Sequence, residues 1–232
     1  MTELSVVVLC YHSSECIIPI YKQLNSLLEK MGIEYEIVLV ANDFAKSKDK
    51  TKIIVEDLAA QNSRVKSVSD IKKGMMGWDM LQGFNASNGK IICVIDGDGQ
   101  FPISSIEKGY NIMKNGEFDI VKTYRHNRKD GIYRVILSSV YNLVFRILFP
   151  RLNSKDVNSK PKLIRRSAYQ KLNLKSTDWF IDAEIMIRAR DLNLTFFEFP
   201  INFGANKSRK SFVNFNAIFE FIVNLIRFKF KK

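Results

Sequence analysis

Short apolar runs alternate along the chain with longer stretches in which apolar residues recur every three or four positions. The short runs are typical of buried strands, and the periodic stretches are typical of amphipathic helices. Strands are predicted at residues 4–10, 33–40, 65–68, 91–95, 118–123, 162–166 and 196–200. Helices are predicted at residues 17–31, 51–60, 76–86, 103–114, 132–149, 182–192 and 212–230. Because strands and helices alternate, the pattern predicts an α/β fold of βαβ units around a parallel sheet.

The composition is that of a folded protein with a sizeable core. Of the 232 residues, 46% are hydrophobic and 26% are charged, which excludes a disordered chain. The chain starts without a basic segment, and no apolar run is long enough for a signal peptide or a membrane-spanning helix. The three cysteines are odd in number and are expected to be reduced and buried, which predicts a cytoplasmic protein.

Positive charge is concentrated in two parts of the chain. Residues 122–171 contain 13 Lys and Arg against two acids, and residues 203–232 contain seven against one. Since the whole chain carries +12, the remainder sums to −5. A surplus segregated in this way indicates an anionic partner, such as phospholipid head groups, a nucleic acid or a phosphorylated substrate.

The predicted strand at residues 91–95 leads directly into two acids, Asp96 and Asp98, which are followed by Gly99 and Gln100. In an open α/β sheet the carboxyl ends of the strands form the ligand crevice, and a cation stabilises neighbouring carboxylates there. Oxygen ligands without His or Cys favour Mg²⁺ or Mn²⁺ over Zn²⁺. A solvated turn between strand and helix uses the same residue types, so this segment alone leaves both interpretations open.

The predicted helix at residues 132–149 is strongly apolar and carries a polar stripe that includes Arg134 and Ser138. The segment before it holds Arg125 and Arg128 and is rich in donors suited to a phosphate. An amphipathic core helix with an exposed edge is the alternative interpretation of this stretch.

The predicted helix at residues 212–230 has 13 apolar residues among its 19 and ends in a basic tail. Aromatic and basic residues together predict a helix that lies on an anionic membrane surface. A core helix or a contact with another subunit is the alternative.

The order of these elements, with an Asp-x-Asp-x-Gln segment after the fourth strand, resembles that of family 2 glycosyltransferases with the GT-A fold over most of residues 4–211. The resemblance implies a Rossmann-like, mixed and mostly parallel sheet flanked by helices. It also implies a nucleotide-sugar donor and a divalent metal cofactor, Mg²⁺ or Mn²⁺. The implied residues are donor-binding Tyr11, Asp43 and Asp96, and metal-binding Asp96, Asp98 and Gln100.

Within this family the chain is similar to the polyprenyl-phosphate branch, which includes dolichol-phosphate mannose synthase. In that branch, basic residues before and within the helix at residues 132–149 bind the phosphate of the lipid. The resemblance therefore implies an acceptor site that contains Arg125, Arg128, Arg134 and Ser138.

Two further segments match family motifs. Asp182 and Glu184 lie where the family has a late acidic motif near the acceptor, and together with Asp98 they are the expected catalytic residues. Lys207 and Arg209 occupy the place of a loop that closes over the donor diphosphate. Because the glycine and the leading arginine of that loop motif are missing, the sequence does not select one of these two basic residues.

The function that the resemblance implies is an inverting, metal-dependent glycosyltransferase that moves a sugar to dolichyl or undecaprenyl phosphate. A lipid phosphate is already anionic and needs alignment, whereas the hydroxyl of a cell-surface polysaccharide, the alternative acceptor, needs a base such as Asp182 or Glu184. The protein is expected at the inner face of the membrane, and the apolar helices also suit a second copy or a membrane-protein partner. A basic nucleic-acid-binding module is a distant alternative without a supporting motif.

The expected organisation is one GT-A domain at residues 1–211 and a basic amphipathic helix at residues 212–232. Within the domain, residues 1–124 are expected to form the nucleotide-binding half and residues 125–211 the acceptor half.

Overall fold

One mixed sheet runs through the computed structural model, which describes residues 1–128, 132–150, 152–204 and 215–230. Its strands are β1 (Leu4–Leu9), β2 (Tyr35–Val40), β3 (Val65–Val68), β4 (Ile91–Asp96), β5 (Ile120–Arg128), β6 (Lys162–Arg165) and β7 (Phe196–Phe203). Their order across the sheet is β3-β2-β1-β4-β6-β5-β7. The strand β6 is antiparallel to both neighbours and the other pairs are parallel, so the predicted mixed, mostly parallel sheet is confirmed.

Helices cover both faces of this sheet. Within the described residues they are α1 (Ile17–Lys30), α2 (Thr51–Gln61), α3 (Met76–Ala86), α4 (Ser104–Asn115), α5 (Ile132–Leu148), α6 (Arg166–Leu172), α7 (Ile181–Asp191) and α8 (Phe215–Phe230). All except α6 were predicted from the periodic stretches. No helix in the described ranges has the length and hydropathy needed to cross a bilayer.

The first strand shows how the core is divided. All six residues of β1 are buried, which explains why its sequence is a continuous apolar run. Val6 and Val8 pack in one hydrophobic cluster with α1, α2 and α4. Val7 and Leu9 pack in a second cluster with α3, α6 and α7, to which Phe145 of α5 also belongs. The sheet is therefore the middle layer between two helical layers.

The largest differences from the predicted elements are at β5 and α6. The strand β5 continues to Arg128, past the predicted end at residue 123, because its backbone pairs with β7 as far as Phe203. The helix α6 follows β6 directly and buries only Ala168 and Leu172, which is too weak an apolar signal for a prediction. Both differences arise from pairing and packing with distant parts of the chain.

The cysteine prediction was right for two residues and wrong for one. All three cysteines are free, and Cys10 and Cys93 are buried in or beside strands. Cys16 is exposed because it ends a short 3₁₀ helix, Ser14–Cys16, that precedes α1 on the surface.

Candidate functional site

The carboxyl ends of β1, β2 and β4 lie side by side at one edge of the sheet. The strand register places Leu9 next to Val40 on one side and next to Asp96 on the other. The residues that follow each strand therefore line one crevice, where open α/β sheets bind their ligands. This topology places Tyr11, Asp43 and the turn at residues 96–100 along the same edge.

Backbone contacts hold the start of this turn against β1. The N–H of Gly97 donates to the carbonyl of Leu9 at 2.9 Å, and the hydroxyl of Ser13 donates to the carbonyl of Gly97 at 3.0 Å. A Cβ atom at position 97 would lie 2.9 Å from the carbonyl oxygen of Leu9. The close approach therefore requires glycine at this position.

The second half of the turn orients Asp98 and Gln100. Gly99 has a φ of +73°, which favours glycine, and the N–H of Gln100 donates to the Asp98 carboxylate at 3.0 Å. The buried side-chain amide of Gln100 donates to the carbonyl of Gly204 at 3.0 Å, and the N–H of Gly204 donates to the carbonyl of Gln100 at 2.9 Å. Gln100 therefore ties the turn to the chain that leaves β7, and its side-chain oxygen is its candidate metal ligand.

Aromatic and charged side chains surround Asp43. Its carboxylate lies 3.1 Å from Nε2 of His12 and accepts the N–H of Phe44 at 2.7 Å. The rings of Tyr11 and His12 stack with their centroids 4.1 Å apart, and the Lys72 ammonium lies 4.0 Å from the centroid of Tyr11. Flat rings next to a carboxylate and an ammonium can hold a nucleotide base by stacking and hydrogen bonding.

Lys72 is held in place by buried polar residues. Its ammonium pairs with the carboxylate of Asp79, and the side-chain amide of Asn42 donates to the same carboxylate at 3.1 Å. Burial raises the pKa of Asp79, although Lys72 and Asn42 act in the opposite direction. Asn42 also accepts the N–H of Asp70 at 2.8 Å. An amide can donate to one partner and accept from another, which an acid at position 42 could not do while ionised.

The sequence analysis did not identify His12 and Lys72 as site residues. His12 directly follows Tyr11 and has a φ of +52°, a conformation that no local sequence motif predicts. Lys72 reaches Tyr11 because an isolated bridge joins Asp43 to Ile71, which brings the segment after β3 next to the segment after β2.

A buried ion cluster lies beneath Asp96. The ammonium of Lys160 lies 3.3 Å from Asp96 Oδ1 and 3.1 Å from Asp182 Oδ2. The ammonium of Lys162 pairs with the other oxygen of Asp182 and donates to the carbonyl of Val157 at 3.2 Å. Asp182 and both lysines are buried, and Asp96 is the member that reaches the crevice, with 23% of its side chain exposed.

In this cluster, burial and ion pairing act on the pKa values of Lys160 and Asp182 in opposite directions. Burial acts to lower the pKa of Lys160, but the carboxylates of Asp182 and Asp96 hold it above its usual range. Burial acts to raise the pKa of Asp182, but the two lysines hold it below its usual range. Asp182 is therefore an ionised carboxylate with both oxygens occupied by ammonium groups, an arrangement that suits an anchor better than a proton acceptor.

Glu184 lies on the same helix as Asp182 but has different partners. Its buried carboxylate accepts the N–H groups of Lys175 at 3.0 Å and Ser176 at 2.7 Å, and it pairs with Arg188 at 2.8 Å. These bonds fix the loop before α7. The same loop contacts the start of α3, where the N–H of Gly77 donates to a carbonyl of residue 178.

The predicted acceptor residue Arg125 forms a bidentate ion pair. Its guanidinium donates to the two oxygens of Asp156 at 2.6 and 2.8 Å. Burial acts to raise the pKa of Asp156, but Arg125 and Lys122 hold it at about 2. Lys122 is itself buried and pairs with Glu198 at 2.6 Å. Arg125 is thus oriented by the protein before any acceptor binds.

The other predicted basic residues are described in part or not at all. Ser138 lies on α5, where its carbonyl accepts the side-chain amide of Asn142 at 2.9 Å. The side chains of Arg128 and Arg134 lie outside the described part of the chain, as do Lys207 and Arg209 entirely.

The residues at the strand ends fit a divalent cation that is shared with a substrate. Among the described residues, no three His, Cys, Asp or Glu side chains lie close enough to form a metal site on their own. Mg²⁺ is usually bound through one or two carboxylates, with the remaining ligands supplied by water and substrate phosphates. Asp96 and Asp98 provide that number of carboxylates.

Comparison with known proteins gives the family. The sequence model described as glycosyl transferase family 2 matches residues 5–173. The dolichol-phosphate mannosyltransferase of Pyrococcus furiosus is 26% identical over 231 residues, which cover 97% of this chain and 63% of that protein. The chain therefore spans less than two thirds of the length of this curated relative.

Solved structures of glucosyl-3-phosphoglycerate synthase from Mycobacterium tuberculosis have a similar fold. The complex with Mn²⁺, uridine diphosphate and phosphoglyceric acid gives a TM-score of 0.74 at 15% identity, covering 98% of this chain and 78% of that one. A complex with Mn²⁺, UDP-glucose and phosphoglyceric acid gives 0.77 at 15% identity, covering 98% and 80%. The predicted GT-A fold is confirmed by this likeness.

Proposed function

Because this chain belongs to glycosyl transferase family 2, we propose that it transfers a sugar from a nucleotide-diphosphate sugar to a polyprenyl phosphate, with inversion at the sugar carbon. The curated relative is a dolichol-phosphate mannosyltransferase, which supports a lipid-phosphate acceptor. The whole reaction is a proposal because this chain spans 63% of that relative.

On the donor side, Tyr11 and Asp43 hold the nucleotide base and ribose. The stack of Tyr11 on His12 presents a flat surface, and Lys72 beside it adds positive charge close to the donor. Lys207 and Arg209, which follow the end of β7, are the proposed partners of the diphosphate.

Asp96 and Asp98, with the side-chain oxygen of Gln100, would hold Mg²⁺ or Mn²⁺ against the donor diphosphate. When bound, such a cation neutralises the negative charge that develops on the departing nucleotide. The N–H of Gln100 donates to the Asp98 carboxylate and Lys160 contacts Asp96, and both contacts support this proposal.

The bonding partners of Asp182 and Glu184 support a phosphate acceptor over a hydroxyl acceptor. Asp182 has both oxygens paired with lysines, and the carboxylate of Glu184 is bound to two backbone N–H groups and Arg188. A sugar hydroxyl needs a base, whereas the oxygen of a lipid phosphate is already a nucleophile and only has to be aligned. The engagement of both candidate bases therefore favours the phosphate. Arg125, Arg128, Arg134 and Ser138 would align it.

An apolar surface on α5 and α8 supports a lipid acceptor. These helices are in contact, and among their described residues the exposed large apolar side chains are Val140, Leu143, Ile147, Ile226 and Phe230. On α5 the polar Asn142 is instead buried, where it accepts the N–H of Val157. The same two helices also expose Arg146, Arg227 and Lys229, and a combination of apolar and basic residues suits an element that rests on anionic lipid.

The proposed function is tested by supplying acceptors that differ only in the phosphate. Purified protein with Mn²⁺ and a panel of labelled UDP- and GDP-sugars should glycosylate undecaprenyl or dolichyl phosphate and not the matching polyprenols. Asp98→Asn should abolish the product, and the linkage should be inverted relative to the donor. Transfer to a glycan hydroxyl, with none to either lipid phosphate, would show that the enzyme belongs to polysaccharide assembly instead.

A further inference from the structure

Lys160 is a buried residue that connects Asp96 at the strand ends to Asp182 on α7. It lies in the segment before β6, and only 2% of its side chain is exposed. Its ammonium contacts Asp96 above and Asp182 below, and Met76 Sδ covers it at 3.4 Å. A lysine in this position is expensive to bury and is retained because both neighbours are carboxylates.

The cluster is electrically balanced without a metal ion. It contains two ammonium groups, Lys160 and Lys162, and two carboxylates, Asp96 and Asp182. The charge of Asp96 is therefore compensated from inside the protein before any cation reaches the crevice.

We propose that Lys160 is a positioning residue that sets the metal affinity of the Asp96–Asp98 pair. By holding Oδ1 of Asp96 and partly cancelling its charge, Lys160 keeps the pair from binding a free divalent cation tightly. The cation then gains most of its affinity from the phosphates of the donor, so that metal and nucleotide arrive and leave together. Asp182 acts indirectly, because its carboxylate holds Lys160 in position.

This inference rests on the metal site of the proposed function, and its consequence can be measured without a sugar substrate. Lys160→Met keeps the length of the side chain and removes its charge. Mn²⁺ alone, followed by the paramagnetic resonance of the free ion, should bind this variant at least about tenfold more tightly than the native protein. An opposite charge within about 4–6 Å lowers a carboxylate's affinity for a proton by about tenfold or more, and it opposes a metal cation in the same direction. Turnover should fall, because Asp96 is no longer held.

Two further variants separate positioning from loss of structure. Lys162→Met removes the same charge from the same cluster, but Lys162 contacts Asp182 and not Asp96 among the bonds described, so its effect on Mn²⁺ binding should be smaller. Asp182→Asn removes one of the two carboxylates that pair with Lys160 and leaves Asp96 as the other. Because the charge of Lys160 then acts on Asp96 without compensation from Asp182, Mn²⁺ binding should weaken. Thermal unfolding of each variant identifies any that do not fold, and either Lys160→Met or Asp182→Asn suffices for the test.

The possible outcomes are distinct. Tighter Mn²⁺ binding in folded Lys160→Met than in Lys162→Met supports the proposal, and if Lys160→Met does not fold, weaker binding in folded Asp182→Asn supports it. Mn²⁺ binding that is unchanged or weakened in folded Lys160→Met, or strengthened as much in Lys162→Met, overturns the proposal and leaves the proposed function intact. Failure of the native protein to bind Mn²⁺ both alone and with UDP or GDP would overturn the metal site and this inference with it.

Discussion

Asp96, Asp98, Asp182 and Glu184 are four carboxylates with four different sets of partners. Asp96 reaches the crevice and is backed by Lys160, whereas Asp98 is oriented by a backbone N–H. Asp182 anchors two lysines, and Glu184 binds a loop and Arg188. Their chemistry differs accordingly, because a carboxylate with every oxygen occupied by cations or N–H groups is a poor proton acceptor.

Glu184→Gln distinguishes a structural role from a catalytic one. Since the carboxylate receives charge-assisted hydrogen bonds from the loop and Arg188, the change should cost about 2 kcal/mol and lower the melting temperature by about 4–8 °C. Turnover measured well below the melting temperature should stay near the native value.

The matched control is Asp191→Asn, which changes an acid on the same helix that is half exposed and paired with Arg190. It should alter neither property, because exposed ion pairs contribute little. A large loss of turnover in Glu184→Gln with an unchanged melting temperature would make Glu184 the base of a hydroxyl-acceptor enzyme.

The sequence motif identified Asp43, Asp96 and Asp98, but it could not identify Lys160. An isolated lysine in a sequence is normally interpreted as a solvated charge. Lys160 comes to lie beneath Asp96 because β6 enters the sheet antiparallel to β4, with Lys162 paired to Val94. That placement depends on sheet order, which local sequence patterns do not encode. The contacts of Glu184 with residues 175–176 depend on loop geometry in the same way.

The helices and strands themselves were largely predictable, because strands that are buried on both sides have apolar runs. The bounds of β1 and β4 follow those runs closely. The extension of β5 through polar residues was not predictable, since it depends on backbone bonds to β7. The polar residues of α5 recur at helical spacing, but spacing alone did not show which of them are buried: Asn142 is buried and Leu143 is exposed.

The exposed apolar surface of α5 gives a prediction about membrane binding. Replacing Leu143 and Ile147 by Ser should weaken binding to vesicles that contain anionic lipid on the order of 100-fold, because each side chain contributes about 1.5 kcal/mol or more when it leaves water. Both side chains are more than half exposed, so the melting temperature should not fall. Vesicle flotation and thermal unfolding provide the two measurements.

Ile53→Ser on α2 is the matched control, since Ile53 is 61% exposed and packs with neither α5 nor α8 in the described contacts. It should leave vesicle binding unchanged. Equal binding by the native protein and the α5 variant would exclude this surface as the membrane contact.

For the molecule as a whole, the structure shows that part of the concentrated positive charge is not on the surface. The sequence places 13 basic residues in residues 122–171, but Lys122, Lys160 and Lys162 are buried and paired with acids. Part of the positive charge of residues 122–171 therefore belongs to buried ion pairs, which form an internal scaffold for the strand-end site. A single sheet connects this scaffold to the donor-side crevice, so the proposed donor and acceptor halves share strands of one sheet.

The claim that the strand-end acids form a metal–diphosphate site is tested most directly by calorimetric titration of UDP and GDP. In the presence of Mn²⁺ the native protein should bind one of these nucleotides, and chelation of the metal or Asp98→Asn should weaken binding by at least about 100-fold, since a bound cation contributes several kcal/mol. Asp57→Asn, which changes an exposed acid on α2, should bind like the native protein. Nucleotide binding that is equal with and without Mn²⁺, or equal in Asp98→Asn, would contradict the account.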